Sequence, residues 1–475
     1  MSGAAHGWRL ELGWVARAVG GRLEGPAGLR CRAVATDSRR LEGGELFVAL
    51  RGPRHDGHAF LAEAARRGAA AALAERPAPG LPTVVVADTL AALGRLAAAW
   101  REALAGPLVA VTGSWGKTTV KELLGAVLGR RAPVLASPGN LNNAVGLPLS
   151  LLGLGPEHRA AVVELGASAP GEVAALAALA RPRVGVLTGA GAAHLEGFGS
   201  LEGVARAKGE LLEGLGPEGI AVYPADAPAT PLWEALAEGR RRLRFGLEAG
   251  EVRAAPGSVR VSLEGEAPGT SFVLRAPQGE VPVRLRLLGL HQVRNALAAA
   301  AAALALAEAG PEGMGPVPEL GLDLEEVAAG LEAARPVPGR LQALAGPGGA
   351  LILDDSYNAN PEALAAALAV LGRWPGERHL VLGDMLELGP EAPAWHREAG
   401  RLAREAGVAR LHALGPLAAE AAAAFGRGGR AYPDLGSLLG ELGPALGPGR
   451  AVLVKGSRGA RMERVVEALL AAGEG

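Results

Sequence analysis

VAVTGSWGKTTVKE, residues 109–122, decides how the rest of the chain is read. Leu108 to Val111 are apolar and partly β-branched, as a buried strand requires; Gly113 and Gly116 permit a tight turn; Lys117 to Leu128 carry a helical period. A strand that runs through a glycine loop into a helix leaves backbone N–H groups and the positive end of the helix dipole aimed at one spot. A polyanion suits that spot, most simply a nucleotide triphosphate cradled by Gly113, Ser114, Trp115, Gly116, Lys117, Thr118 and Thr119. The Thr118 hydroxyl then stands where it can ligate Mg²⁺. The loop is a short form of the common phosphate loop, because Val111 occupies the position of that pattern's first glycine. The plain alternative is an ordinary glycine turn, against which the Lys-Thr-Thr run weighs.

Composition sharpens the reading of the lysine. Of 48 basic residues only four are lysines, Lys117, Lys121, Lys208 and Lys455, so arginine serves nearly everywhere a generic surface cation would do. A lysine in this chain is required as a lysine: a compact charge with a nitrogen that can give up its proton, which arginine cannot do. Asparagine behaves alike, its six copies falling in three clusters, Asn140, Asn142 and Asn143, then Asn295, then Asn358 and Asn360. Turns collect asparagine, but dozens of other loops here have none.

At 475 residues the chain exceeds the size at which one core keeps growing, so two or three domains are expected. A net charge of −1 speaks against wholesale binding of nucleic acid or anionic membrane. The single cysteine, Cys31, excludes an intrachain disulfide framework and fits a reducing cytosol. The first residues show no signal-peptide layout, and the longest small-apolar run, Ala296 to Ala307, falls short of the roughly 20 residues of a membrane span. A soluble, cytoplasmic protein is the expectation. Scarce Asn, Gln, Met and Cys with many Pro suit heat adaptation and GC-rich coding equally.

Along the chain, the first hundred residues read as a small α/β domain: strands at Arg32 to Ala35, Leu46 to Leu50, Ala70 to Leu73 and Thr83 to Val86, with a helix from His58 to Gly68. Its polar loops hold Ser38 and Arg39, then Asp56 and His58, and such loops are structural or ligand-binding with equal ease. A helix from Thr89 to Ala105 reads as the linker onward. Beyond the glycine loop, the Pro/Gly/Asn stretch with Asn142 and Asn143 is a candidate substrate clamp. The strand Ala160 to Val163 ends in Glu164, where a nucleotide-bound Mg²⁺ finds its protein ligand in a parallel sheet. Val184 to Thr188 leads to His194, a candidate ligand or orienter, and the helix from Ser200 carries Lys208. His291 and Asn295 share a face at the start of an alanine-rich helix. The last third alternates strands and helices, which predicts a parallel, doubly wound sheet with polar loops at its carboxyl ends.

With these pieces assembled, the chain resembles the Mur ligase family along its whole length. The marks are Thr-Gly-Ser-x-Gly-Lys-Thr-Thr-x-Lys-Glu from Thr112, Gly-Asn-x-Asn-Asn from Gly139, Ala-His-Leu-Glu-Gly-Phe-Gly-Ser from Ala193 and Ala-x-Ala-Lys-Gly-Glu from Ala205. To these add Asp-Asp-Ser-Tyr-Asn-Ala-Asn-Pro from Asp354, Leu-Gly-Asp-Met-Leu-Glu-Leu-Gly from Leu382 and Lys-Gly-Ser-Arg-Gly from Lys455. Two positions depart from the pattern: Trp115 is larger than usual, and Gly189 stands where Asn is common. The resemblance implies three domains: residues 1–104 binding a UDP sugar, a central 105–336 with a mostly parallel sheet binding ATP and Mg²⁺, and a Rossmann-like 337–475 binding the incoming amino compound. It implies a monomeric ligase whose small-molecule substrates are ATP, a UDP-N-acetylmuramoyl-tripeptide and D-alanyl-D-alanine, joined through an acyl phosphate. By the same resemblance Thr118 and Glu164 serve one magnesium, and His194 with a carbamylated Lys208 a second; Lys117 neutralises phosphate. Asn295, Arg340 and Asp355 hold the nucleotide, Ser38, Arg39, Asp56, His58, Asn142 and Asn143 the UDP substrate, and Asn358, Lys455 and Arg458 the dipeptide. A sibling ligase that adds a diamino acid is the nearest alternative, though it is expected to show Asp-Asn-Pro-Arg where this chain has Gly383-Asp-Met-Leu-Glu. Two more remain: a polyglutamate ligase and a nucleotide-binding regulator without catalysis.

Overall fold

The computed structural model describes residues 10–104, 106–192, 195–265, 268–308 and 322–472. They form three α/β domains, each built on its own main sheet. In the first, five strands lie in the order Arg22–Glu24, Thr83–Val85, Ala71–Ala74, Leu46–Val48, Val34–Ala35, and only the first pair is antiparallel. The strand expected from Arg32 to Ala35 is shorter: only Val34–Ala35 joins the sheet, and a separate strand just before it, Arg30–Cys31, pairs with Leu10–Glu11. The helix expected from His58 starts as a 3-10 turn, Gly57–Phe60, before the α-helix Leu61–Arg66. Asp56 imposes that turn by accepting the His58 N–H at 2.9 Å.

The helix Thr89–Ala103, capped by Asp88, is no free linker. Its Leu93, Leu96 and Ala97 belong to one continuous core that takes Val15 and Leu73 from the first domain and Leu147, Leu151 and Leu176 from the second. Trp100 meets the ring of Trp14 edge-on at 5.7 Å and donates its indole N–H to the Leu154 carbonyl.

In the central sheet seven parallel strands run Val134–Ala136, Ala160–Glu164, Leu108–Thr112, Val184–Leu187, Ile220–Pro224, Arg241–Gly246, Val252–Ala254. An antiparallel extension follows, Gly269–Ala276 with Arg260–Ser262 and Gly279–Leu285. Register sets the chemistry: Val111 lies opposite Glu164 and Thr112 opposite Leu187, so three strands end at one level. The helix Leu290–Glu308 is buried along nearly its whole length. Its alanines make this practicable, since a helix apolar all round can pack on more than one side.

The last domain orders six strands Gln342–Ala345, Leu351–Asp355, Arg450–Lys455, Glu377–Gly383, Arg410–Leu414, Gly429–Tyr432, parallel but for the first pair. Separate apolar cores cover its two faces, as a doubly wound sheet requires. Leu263 and Leu288 of the central domain reach into one of them. Among the described residues no helix is long and apolar enough to cross a membrane.

Candidate active site

The phosphate loop is shaped by what surrounds it. A side chain at Gly113, where φ is +148°, would begin 2.1 Å from Thr188 Oγ1, and one at Gly116, where φ is +74°, 2.3 Å from Asn295 Oδ1. The loop therefore sits pinched between the next strand and the alanine-rich helix, and only glycine fits at both places. Lys117 folds back to donate to the Gly113 carbonyl at 2.8 Å. Burial pushes its ammonium below the usual lysine range, with Glu164 opposing that shift and Arg340 adding to it.

Around the lysine stands a bonded set. Thr118 Oγ1 donates to Glu164 Oε2 at 2.7 Å, Asn142 Nδ2 donates to Glu164 Oε1 at 2.8 Å, and Arg340 Nη2 donates to Thr118 Oγ1 at 2.8 Å. Arg340 also lies 4.4 Å over the Tyr357 ring. These groups, with Ser114, Trp115, Gly116, Thr119, Asn295, Asp355, Asn358 and Lys455, line a cavity of about 450 Å³ between the central and last domains. Lys455 pairs with Asp355 at 2.5 Å and donates to the Asn358 carbonyl at 2.9 Å. Burial raises the Asp355 carboxyl, and Lys455 and Arg340 pull it back.

A second cavity, of about 540 Å³, opens on the other side of Lys117 and is lined by Asn142, Asn143, Ala167, Glu172 and Leu176 among others. Behind it Lys208 is buried, donating to the Ala167 carbonyl at 3.0 Å with its ammonium 4.8 Å from the Phe198 ring centroid. Burial, then the charge of Lys117, brings Lys208 down to about 7.

Other expected residues lie elsewhere. His194 is outside the described residues. Ser38, Arg39, Asp56 and His58 line neither cavity. Arg39 is exposed and tied to Asp37, while His58 is buried with Nε2 accepting the Glu75 N–H and Nδ1 facing Asp56. Arg458 lies outside the first cavity, 5.5 Å from the Tyr357 ring and paired with Glu463. Sequence reasoning passed over Tyr357, Glu362 and Gln292, and left His291 without a role. All four line the first cavity. Tyr357 is one of three tyrosines, and the rarity filter used on lysine and asparagine finds it at once. His291 is held neutral, pushed down to about 4 by burial and then by Lys455.

The two departures from the family pattern are one feature. A Cβ at Gly189 would lie 2.8 Å from Trp115 Cζ2, and one at Gly191 2.1 Å from Trp115 Cζ3. The indole fills the space that side chains there would need.

Comparison with known proteins agrees in all three domains. The chain matches the Mur ligase family, catalytic domain, over residues 30–101, the Mur ligase middle domain over 111–303, and the Mur ligase, glutamate ligase domain, over 339–458. It is 41% identical over 454 residues, 95% of this chain and 96% of the other, to the UDP-N-acetylmuramoyl-tripeptide–D-alanyl-D-alanine ligase of Escherichia coli K12. With the Bacillus subtilis ligase of that name it shares 34% identity over 92% of each chain. Among solved structures it is similar to MurF of Acinetobacter baumannii, with a TM-score of 0.88 and 35% identity over 98% of this chain and 99% of that one. The MurF ligase of Thermotoga maritima in complex with ADP gives a TM-score of 0.79 and 31% identity over 93% and 98%.

Proposed function

This chain belongs to the Mur ligase family, and from that premise we propose that it joins D-alanyl-D-alanine to a UDP-N-acetylmuramoyl-tripeptide at the expense of ATP, acting as a monomer in the cytoplasm. One observation carries the reading. The phosphate loop, Glu164 and the interdomain Arg340 form a single bonded set facing the Asp355–Lys455 pair across one cavity.

The tripeptide carboxylate attacks the terminal phosphorus of ATP; the new C–O–P linkage forms as the bond to ADP breaks. The dipeptide amine, having lost its proton, then attacks the acyl carbon and phosphate leaves with the C–O electron pair. Neither step needs a protein nucleophile. The chain's task is to bring a carboxylate against a triphosphate, and Lys117, Arg340 and the helix N-terminus supply the positive field for it. Thr118 and Glu164 are the hard oxygen donors that magnesium prefers and would hold it, with Asn142 orienting the carboxylate. Magnesium, when bound, neutralises phosphate charge. A second magnesium is assigned to His194 and to Lys208 as a carbamate, formed when the neutral amine attacks CO₂ and releases a proton. Burial and the charge of Lys117 outweigh Glu172 and Glu210 and bring the Lys208 amine down to about 7, so that a neutral amine is available to CO₂, which supports that assignment. The UDP-sugar end is assigned to the first domain and its Ser38, Arg39, Asp56 and His58, the dipeptide to Asn358, Lys455 and Arg458.

The test is phosphate release from ATP with the UDP-linked tripeptide and D-alanyl-D-alanine, set against meso-diaminopimelate and glutamate. Turnover with the dipeptide alone is expected. Turnover with a single amino acid instead would identify the sibling activity, and none with any acceptor would favour a nucleotide-binding regulator.

A further inference from the structure

Lys121 alone among the four lysines has no part in that reading. It lies one turn past Lys117 on the helix Lys117–Leu128, and it is fully buried. Its ammonium donates to the Ser137 carbonyl at 2.5 Å and the Gly139 carbonyl at 3.3 Å, and pairs with Glu122 at 2.8 Å. Three acceptors converge on one nitrogen. A tetrahedral ammonium satisfies them, whereas a planar guanidinium would carry five N–H groups into the same small space and leave some unpartnered. This explains a lysine where the chain otherwise writes arginine.

The two carbonyls belong to the stretch that leaves the sheet-edge strand Val134–Ala136. Pro138, Gly139 and Asn140 are exposed and have no core of their own. What this stretch holds is Glu164. Ser137 Oγ accepts the Glu164 N–H at 3.2 Å, the Gly166 N–H donates to the Asn142 carbonyl at 2.8 Å, and Asn142 Nδ2 grips Glu164 Oε1. Glu164 is thus fixed at one oxygen by Thr118 and at the other by a loop whose buried anchor is Lys121.

We propose that Lys121 is a positioning residue for the magnesium site: by tethering the Ser137 and Gly139 carbonyls it fixes the loop that bears Asn142, and so aims the Glu164 carboxylate beside Thr118. The inference rests on the ATP and magnesium reading above and adds a residue that touches neither.

Full-length Lys121→Met and Lys121→Arg are compared with the parent chain by calorimetric titration of ADP with and without Mg²⁺, alongside thermal melting and steady-state kinetics. Magnesium-free ADP affinity should stay within about 2-fold, while the affinity gained on adding Mg²⁺ falls by about 10-fold or more and kcat drops with KM for the dipeptide unchanged. A folded variant that keeps the parent's full magnesium gain overturns the proposal. So does an equal loss of ADP affinity with and without magnesium, or failure of both variants to fold, each of which gives Lys121 a role in the fold alone. A parent chain whose ADP affinity ignores magnesium overturns the underlying reading as well, and is told apart because it needs no variant.

Discussion

Arg340 donates to the Thr118 hydroxyl at 2.8 Å, joining the segment between the central and last domains to the first turn of the phosphate-loop helix. Leu341, next in the chain, is buried in a left-handed conformation with φ of 56°. Arg340→Ala should lower kcat by about 100-fold to 1,000-fold, the usual loss when one donor to a developing charge is removed. Arg340→Lys should recover little, because a point charge cannot both meet Thr118 and cover the Tyr357 ring as the planar guanidinium does. Phosphate release at saturating substrates measures both; a lysine variant near parental rate would contradict the argument.

Trp115 and Gly191 invite a double-mutant cycle. Gly191→Ala puts a methyl on the indole and should distort the loop, lowering ADP affinity and the melting temperature together. Trp115→Ser empties that space, so the double variant should bind ADP better than Gly191→Ala alone, with a coupling of about 0.5–3 kcal/mol. Simple additivity of the two changes would show that ring and glycine are independent.

Lys208→Ala should be nearly inactive and partly restored by formate or acetate, which supply the anion that the carbamate would provide. Lys208→Arg should be inactive without rescue, since arginine has no neutral amine to offer CO₂. Full activity of Lys208→Arg in CO₂-depleted buffer would remove the carbamate from the scheme.

Far from the cavities, His379 and His412 stack in the last domain with ring nitrogens 3.2 Å apart, Glu377 at one end and the Tyr432 hydroxyl at the other. Arg410, Arg430, Arg450 and Glu441 complete the charged surroundings. Burial, then His379, pushes His412 from 6.5 to about 4, and burial lowers His379 also. Above the unfolded value neither state holds the proton. As pH falls from about 6.5 towards about 4 the unfolded chain takes a proton that the native one refuses, so stability declines across that window, by about 3 kcal/mol at most for His412. Urea midpoints at about pH 7 and about pH 5 should differ less in His412→Gln than in the parent. An unchanged difference would mean that other groups drive the acid response.

How much of this was legible beforehand depended on residue chemistry more than on pattern. The phosphate loop, Glu164, Asn295 and Asp355 could be picked out because each is a rare type or stands at the end of an apolar run, whereas Arg340, one arginine among many, was reached only through the resemblance; the fold brings all of them to one cavity. The edge strands Gln342–Ala345 and Gly429–Tyr432 escaped notice because each is only 4 residues long, too short for a period of two to stand out. The strand Arg30–Cys31, just ahead of the run read from Arg32, escaped for a different reason, since its pairing with Leu10–Glu11 is decided by a distant segment. Contacts such as Lys121 to Ser137 or Trp115 to Gly191 depend on how elements settle against each other, and spacing along one chain carries no trace of that.

The core shared through Thr89–Ala103 gives the molecule fewer moving parts than domains. Leucines of the first and second domains interlock along that helix, with Trp14 and Trp100 as the rivet, so a swing between them would expose apolar surface at every angle. The other seam meets chiefly at Leu263, Leu288 and a polar cavity, spanned by the segment with Pro336 and Pro338. Half of the Thr118–Arg340 contact lies on each side of this seam, so closure there on nucleotide is the expected motion, and compaction in small-angle scattering with both nucleotide and UDP substrate present would register it.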